Sequence, residues 1–176
     1  MEIKNSVALV TGANRGLGKA FTEALLKAGA TRVYAGARDP GSITLSDSRV
    51  VPVYLDVTQE NSVLAAAKNC AAVTLLINNA GIMRGSPMLA EGSEAAFRDE
   101  KEVNVFGVLR MVRAFAPLLA RNGGGAIANM LRGKPDSVSR STRETRTGNL
   151  GAGRCTYPEA AAQRLCQGGW LAHRLA

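Results

Sequence analysis

Cysteine is scarce in this chain: three in 176 residues, Cys70, Cys155 and Cys166. Their spacing matches no zinc or Cys-x-x-Cys redox pattern, and an odd count gives no disulfide framework. A metal site is therefore not expected, and a reducing cytoplasm is the expected location. No uninterrupted apolar run approaches the roughly 18 residues of a membrane span. The start, Met1-Glu2-Ile3-Lys4-Asn5, lacks the apolar stretch of a signal peptide. A membrane partner is not expected either. Aromatic residues are few, at 5%, and beyond Trp170 none interleaves with the basic residues of the C-terminal quarter. That scarcity argues against a nucleic-acid surface, although the net charge of +8 invites one. The charge is also unevenly placed. Residues 1–131 hold 14 Lys and Arg against 11 Asp and Glu, and residues 132–176 hold 8 against 3.

Apolar residues make up 46% of the chain, enough for a core in one domain of this length. The run Val7-Ala8-Leu9-Val10 reads as a strand, and it is followed at once by Thr11-Gly12-Ala13-Asn14-Arg15-Gly16-Leu17-Gly18. A strand, a glycine turn and a helix start in this order make an anion cradle. The turn is tight at Gly12, the backbone is open to a pyrophosphate at Gly16, and helix and sheet pack closely at Gly18. The spacing is Gly-x-x-x-Gly-x-Gly, not the general Gly-x-Gly-x-x-Gly. Three further stretches follow in order: Leu55-Asp56-Val57, Asn78-Asn79-Ala80-Gly81 and Val103-Asn104-Val105-Phe106-Gly107.

Together these four stretches resemble the short-chain dehydrogenase/reductase family of classical type, over about residues 3–131. The resemblance implies an α/β fold, a Rossmann-like doubly wound parallel sheet, here truncated after about five strands. It implies a dinucleotide cofactor bound by Thr11, Gly12, Asn14, Arg15, Gly16, Leu17 and Gly18, with Asp56 and Val57 bordering the adenine. Asn78, Asn79, Ala80 and Gly81 would line the site beside the ribose, and Asn104 would help hold a water and the catalytic lysine. Hydride transfer between nicotinamide and a carbonyl or alcohol is the implied reaction. The helix that carries Asn104 contributes to a dimer interface in the family, so a homo-oligomer is possible.

About 20 residues after the glycine turn, such a fold presents a side chain to the adenosine ribose. Gly36-Ala37 fall at that place, Arg38 follows, and Arg15 lies within the turn. Two guanidinium groups suit a 2′-phosphate, so NADP(H) is expected over NAD(H). The alternative is that both arginines are solvated and Asp39 takes the acidic role. Asp56 likewise has a second reading, as the cap of a helix beginning near Thr58.

Periodicity places helices over 15–29 and 59–72 and a long one over 93–121, which Pro117 kinks or interrupts near its end. Strands are expected over 31–37, 50–55, 73–77 and 126–131. From Arg132 the family pattern stops. A carbonyl must gain a proton as hydride arrives, and a tyrosine near pKa 10 needs a neighbouring cation for this near neutral pH. The family supplies Tyr-x-x-x-Lys. Here Arg38 follows Tyr34, Thr58 follows Tyr54 and Ala161 follows Tyr157 at that interval. Tyr157 stands near the right distance without its lysine, and Ser137, Ser139, Ser141 and Thr145 are undifferentiated candidates for the family's serine.

Residues 1–131 thus read as a cofactor domain and 132–176 as a divergent basic tail. From Arg132 to Asn149 the only aliphatic residue is Val138, too little apolar surface to order the segment. A short helix is expected around Ala160–Leu175, broken by Gly168-Gly169. Arg132-Gly133-Lys134, shifted by one nucleotide, can encode Val-Val-Ser as the family reads there, which suggests a frame change that the source DNA would test. The fifth strand would then be a bare edge, and self-association is expected. Three functions follow, in order: an oxidoreductase of this family lacking part of its proton relay, a non-catalytic dinucleotide-binding remnant, and a basic-tailed nucleic-acid binder.

Overall fold

A computed structural model describes residues 2–85 and 90–130, and the backbone of 172–175. Its elements are β1 (Val7–Thr11), α1 (Gly16–Lys27), β2 (Arg32–Ala37), β3 (Val50–Tyr54), α2 (Glu60–Asn69) and β4 (Leu75–Asn78). Then come α3 (Ser93–Lys101), a π-helical segment (Glu102–Gly107), α4 (Val108–Arg121), β5 (Gly125–Asn129) and β6 (Ala172–Leu175). The sheet order is β3-β2-β1-β4-β5-β6. The first five strands are parallel, and β6 runs antiparallel to β5. This is the expected Rossmann-like sheet.

Alternate residues along each strand point to opposite faces, and both faces are covered. Ala8, Val10, Val33 and Ala35 meet Phe21, Leu25 and Leu26 of α1. On the other side Leu9, Leu76 and Ile127 meet Val63 and Ala66 of α2 and Met111, Phe115 and Leu119 of α4. Burial on two sides explains why β1 and β4 read as continuous apolar runs. The chain reverses direction across the sheet between β1 and β4, so their carboxyl ends open the crevice where ligands bind in such sheets.

At the outer edge, β3 includes the exposed Pro52, paired in register with Ala35 of β2. A proline is tolerated there because an edge strand leaves half of its N–H groups without a partner.

Four expectations change. The long helix is not uniform, since α3 passes into a π-helical segment before α4, a widening that periodicity does not reveal. Of the two outcomes weighed for Pro117, interruption does not occur, since α4 runs on to Arg121. The 29-residue run Ser93–Arg121 also has an 18-residue stretch of mean hydropathy 1.5, so by length and composition one segment does reach that of a membrane span. Of its apolar residues, Met111, Phe115, Leu118 and Leu119 are buried in the core, and Phe97, Val105, Phe106 and Leu109 are exposed. Finally, Ala172–Leu175 is a strand and not the end of a helix: Gly125 faces Leu175 and Ala128 faces Ala172. The unpaired backbone groups of β5 are thereby satisfied, so β5 is not the bare edge expected. The other tail expectations, over 132–171, lie outside the described residues.

Cys70 closes α2 and is fully buried, and burial pushes its thiol up to about 11. A thiol that stays protonated is a poor nucleophile. In the native chain at neutral pH, Cys70 is expected to escape iodoacetamide, and peptide mass spectrometry should find it alkylated only after denaturation.

Candidate functional site

The crevice is built from two turns locked together. Thr11 ends β1 with its side chain buried, and its Oγ1 accepts from the N–H groups of Asn79 at 2.9 Å and Ala80 at 2.8 Å. In return Asn79 Nδ2 donates to the carbonyls of Thr11 at 2.9 Å and Gly12 at 3.2 Å. The glycine turn and the Asn78–Gly81 turn are therefore one rigid unit. Gly12 has φ +66°, and a Cβ there would lie 3.1 Å from Ala80 Cα. A Cβ on Gly18 would collide with the Gly12 carbonyl oxygen. Those two positions need glycine for different reasons, conformation at the first and space at the second.

Threonine at position 11 is a strong test of this lock. Thr11→Val leaves two N–H groups facing a methyl group, and an unsatisfied buried donor costs about 1–3 kcal/mol. Urea unfolding is expected to show a loss of about 2–4 kcal/mol, with Thr11→Ser near the wild type.

Helix α1 starts with Arg15 as its N-cap residue, without a side-chain cap and without an acidic residue in the first turn. Among the described residues its first N–H groups thus have no side-chain acceptor, and above Gly16 a Cβ would meet nothing within 4 Å. Free donors at a helix N-terminus beside open space suit a pyrophosphate. Asn14 is half-buried at this turn, while Arg15, Gly16 and Leu17 are exposed.

Next to Thr11 in the sheet stands Gly36, where a Cβ would come within 2.7 Å of Leu55 Cδ2. Ala37 is buried and Arg38 exposed. Among the described residues neither Arg15 nor Arg38 makes an ion pair or side-chain hydrogen bond. Asp39 Oδ1 accepts from Gly41 N at 3.0 Å and so caps its own short 3₁₀ turn. Asp56, past β3, accepts through Oδ1 from Thr58 N at 2.9 Å and Thr58 Oγ1 at 2.7 Å. Asp56 thus closes a local turn onto Thr58 and does not cap the helix, which starts at Glu60 with Gln59 as its N-cap residue and no side-chain cap. Val57 beside it is buried.

Asn104 lies in the π-helical segment and grips Ile82 from both sides, donating from Nδ2 to its carbonyl at 2.8 Å and accepting at Oδ1 from its N–H at 2.9 Å. The chain after Gly81 is thus tied to the helix, and a Cβ on Gly81 would lie 3.2 Å from Asn104 Oδ1. Asn78 belongs to β4 and donates from Nδ2 to Asn129 Oδ1 at 2.8 Å, the two being partners in register. Its own Oδ1 is buried without a partner among the described residues. Asn129 was not anticipated from the sequence, although two asparagines ending adjacent strands are a detectable signal. Tyr157 and the candidate Ser137, Ser139, Ser141 and Thr145 lie outside the described residues.

A family model for short chain dehydrogenase matches residues 6–132. The chain belongs to the short-chain dehydrogenase family. Members of this family bind a dinucleotide and a substrate, and the chain shares that family's fold. Short-chain dehydrogenase anuI of Penicillium roqueforti is 36% identical over 129 residues, which cover 66% of this chain and 51% of that protein. The 3-oxoacyl-(acyl-carrier-protein) reductase FabG of Vibrio harveyi is 31% identical over 137 residues, 74% of this chain and 56% of the relative. Among solved structures, a short chain dehydrogenase from Burkholderia cenocepacia in complex with NADP has a TM-score of 0.70 and 50% identity, over 73% of this chain and 54% of that one. One from Burkholderia phymatum in complex with NAD has a TM-score of 0.65 and 30% identity, over 73% of this chain and 50% of that one. The chain spans about half the length of these short-chain dehydrogenase relatives.

Proposed function

We propose that the crevice binds NADP(H) in preference to NAD(H), and that the chain is the cofactor-holding portion of an oxidoreductase acting between nicotinamide and a carbonyl or alcohol. The observation that carries this reading is the pair Arg15 and Arg38. They leave the carboxyl ends of two neighbouring strands, both are exposed, and among the described residues both are without an anionic partner. Forked guanidinium groups match a 2′-phosphate. Asp39, the acidic alternative, already spends one carboxylate oxygen on its own turn.

The residues present fit a dinucleotide. The uncapped start of α1 would take the pyrophosphate, Asp56 and Val57 would border the adenine, and Asn78 to Gly81 would line the ribose. When bound, the nicotinamide supplies or receives the hydride. Thr11 and Asn79 hold the floor of the crevice rigid, and Asn104 fixes the chain beyond Gly81. Proton delivery is the part that no sequence motif covers. Tyr34 is buried within β2, Tyr54 ends β3, and neither is followed by lysine at the fourth position. That gap favours a second reading, cofactor binding without turnover.

The reading includes a cytoplasmic setting and no nucleic-acid or membrane partner. Self-association would use the exposed Phe97, Phe106 and Leu109 of the long helix.

Titration of NADPH and NADH by fluorescence tests the cofactor, and a panel of ketones and alcohols then tests turnover. Binding at least about 10-fold tighter for NADPH is the expected result. Equal affinities, or tighter NADH, overturn the preference. Saturable binding with no consumption of NADPH selects the non-catalytic reading.

A further inference from the structure

The residues bordering the proposed adenine end and the clamp made by Asn104 are joined by one side chain that neither motif includes. Arg110, on the first turn of α4, is largely buried. Its Nη1 donates to the carbonyl of Val57 at 3.3 Å, Nη2 pairs with Glu102 Oε1 at 2.6 Å, and Nε lies 3.5 Å from Glu60 Oε2 of α2. Val57 also packs on the helix itself, since a Cβ on Gly107 would fall 2.8 Å from Val57 Cγ2.

The pairing with Glu102 depends on the π-helical segment. At about 3.6 residues per turn, side chains eight apart on an α-helix point about 80° apart, and the usual partner sits at the third or fourth position. A turn that takes in one extra residue removes most of that offset. Glu102 opens the segment and Arg110 follows its end, so their ion pair spans the wide turn that carries Asn104.

We infer that Arg110 is a positioning residue that couples the Asp56-Val57 turn to the Asn104–Ile82 clamp through the π-helical segment. Filling of the adenine end steadies Val57, Val57 steadies Arg110, and the Arg110–Glu102 pair keeps the wide turn in the register that lets Asn104 hold Ile82. This rests on the reading of the crevice as a dinucleotide site, but its first test does not.

Amide hydrogen exchange of the full chain, without cofactor, reads the clamp at Ile82 N–H and the sheet at Leu76 N–H. In Arg110→Met, Ile82 is expected to exchange about 10-fold faster with Leu76 unchanged, the scale of a lost hydrogen bond to a charged group. Glu102→Gln should act in the same direction. Unchanged Ile82 exchange overturns the inference. Equal acceleration of Ile82 and Leu76 does too, because it marks a merely structural role.

The second arm adds adenosine 2′,5′-bisphosphate, which has no nicotinamide half. It is expected to slow Ile82 exchange in the wild type and not in Arg110→Met. Saturable binding that leaves wild-type Ile82 unprotected overturns the coupling. If the bisphosphate does not bind, the NADP(H) reading fails, and the cofactor-free exchange still decides the role of Arg110.

Discussion

Gly18→Ala is expected to remove dinucleotide binding and to cost about 3–5 kcal/mol of stability, near the upper end for single substitutions. The added Cβ would strike the Gly12 carbonyl oxygen and lie 2.6 Å from Asn79 Nδ2. Neither neighbour can give way. The first is backbone in a turn packed on Ala80, and the second is held on two carbonyls. Relief must come from α1 moving off the sheet, which opens the contacts of Phe21 and Leu25 with β1 and β2. Against a total stability of about 5–15 kcal/mol, that is a large share. Gly16→Ala is the control: its Cβ would meet open space, and the cost is the left-handed φ of +54°, about 1 kcal/mol. Urea midpoints separate the two variants, whereas NADPH fluorescence should fall in both, because a Cβ at Gly16 would enter the space proposed for the pyrophosphate. A Gly18→Ala chain that unfolds at the wild-type midpoint would show that helix and turn are less closely packed than described.

Joint replacement of Arg15 and Arg38 by alanine is expected to weaken NADPH binding by about 100-fold while leaving NADH within about 3-fold. Each charge-assisted pair with the 2′-phosphate contributes about 1.5–3 kcal/mol, and a factor of 10 is about 1.4 kcal/mol. Both side chains are exposed, so their removal leaves no cavity and the melting temperature should hardly move. Arg38→Asp goes further, since a carboxylate accepts from the 2′-hydroxyl of NADH and repels the phosphate of NADPH. Isothermal titration with both cofactors reads the change. Parallel losses for the two would place the arginines on the shared pyrophosphate and not on the 2′-phosphate.

Much of this fold was legible because its signals are local. Val7-Ala8-Leu9-Val10 and Leu75-Leu76-Ile77 are apolar without a break because both faces of their strands are covered, and Thr11 to Gly18 carry their turn in the glycine spacing. The motifs drew attention to Asn79 and Asn104, but their partners, the carbonyls of Thr11 and Gly12 and the backbone of Ile82, were not legible. What escaped depends on distant partners. The π-helical segment spans six residues, too few to carry a periodicity of its own. Nothing in the sequence around Arg110 marks it, because two of its three partners, Val57 and Glu60, lie on other elements of the chain. Ala172–Leu175 pairs with a strand more than 40 residues earlier, a contact that no short window contains.

Pro52 has a consequence for how copies of this chain can meet. A strand that still offers a full row of donors on its outer side is a template on which an identical strand can add, and repeated addition builds a cross-β stack. β3 is such an outer strand, but a proline sits at its centre with no hydrogen to offer. A second chain docking there would find a gap midway along its ladder. Growth of fibrils from this edge is therefore blocked by one covalent ring, and Pro52→Val should bring thioflavin-positive material where the parent chain gives none.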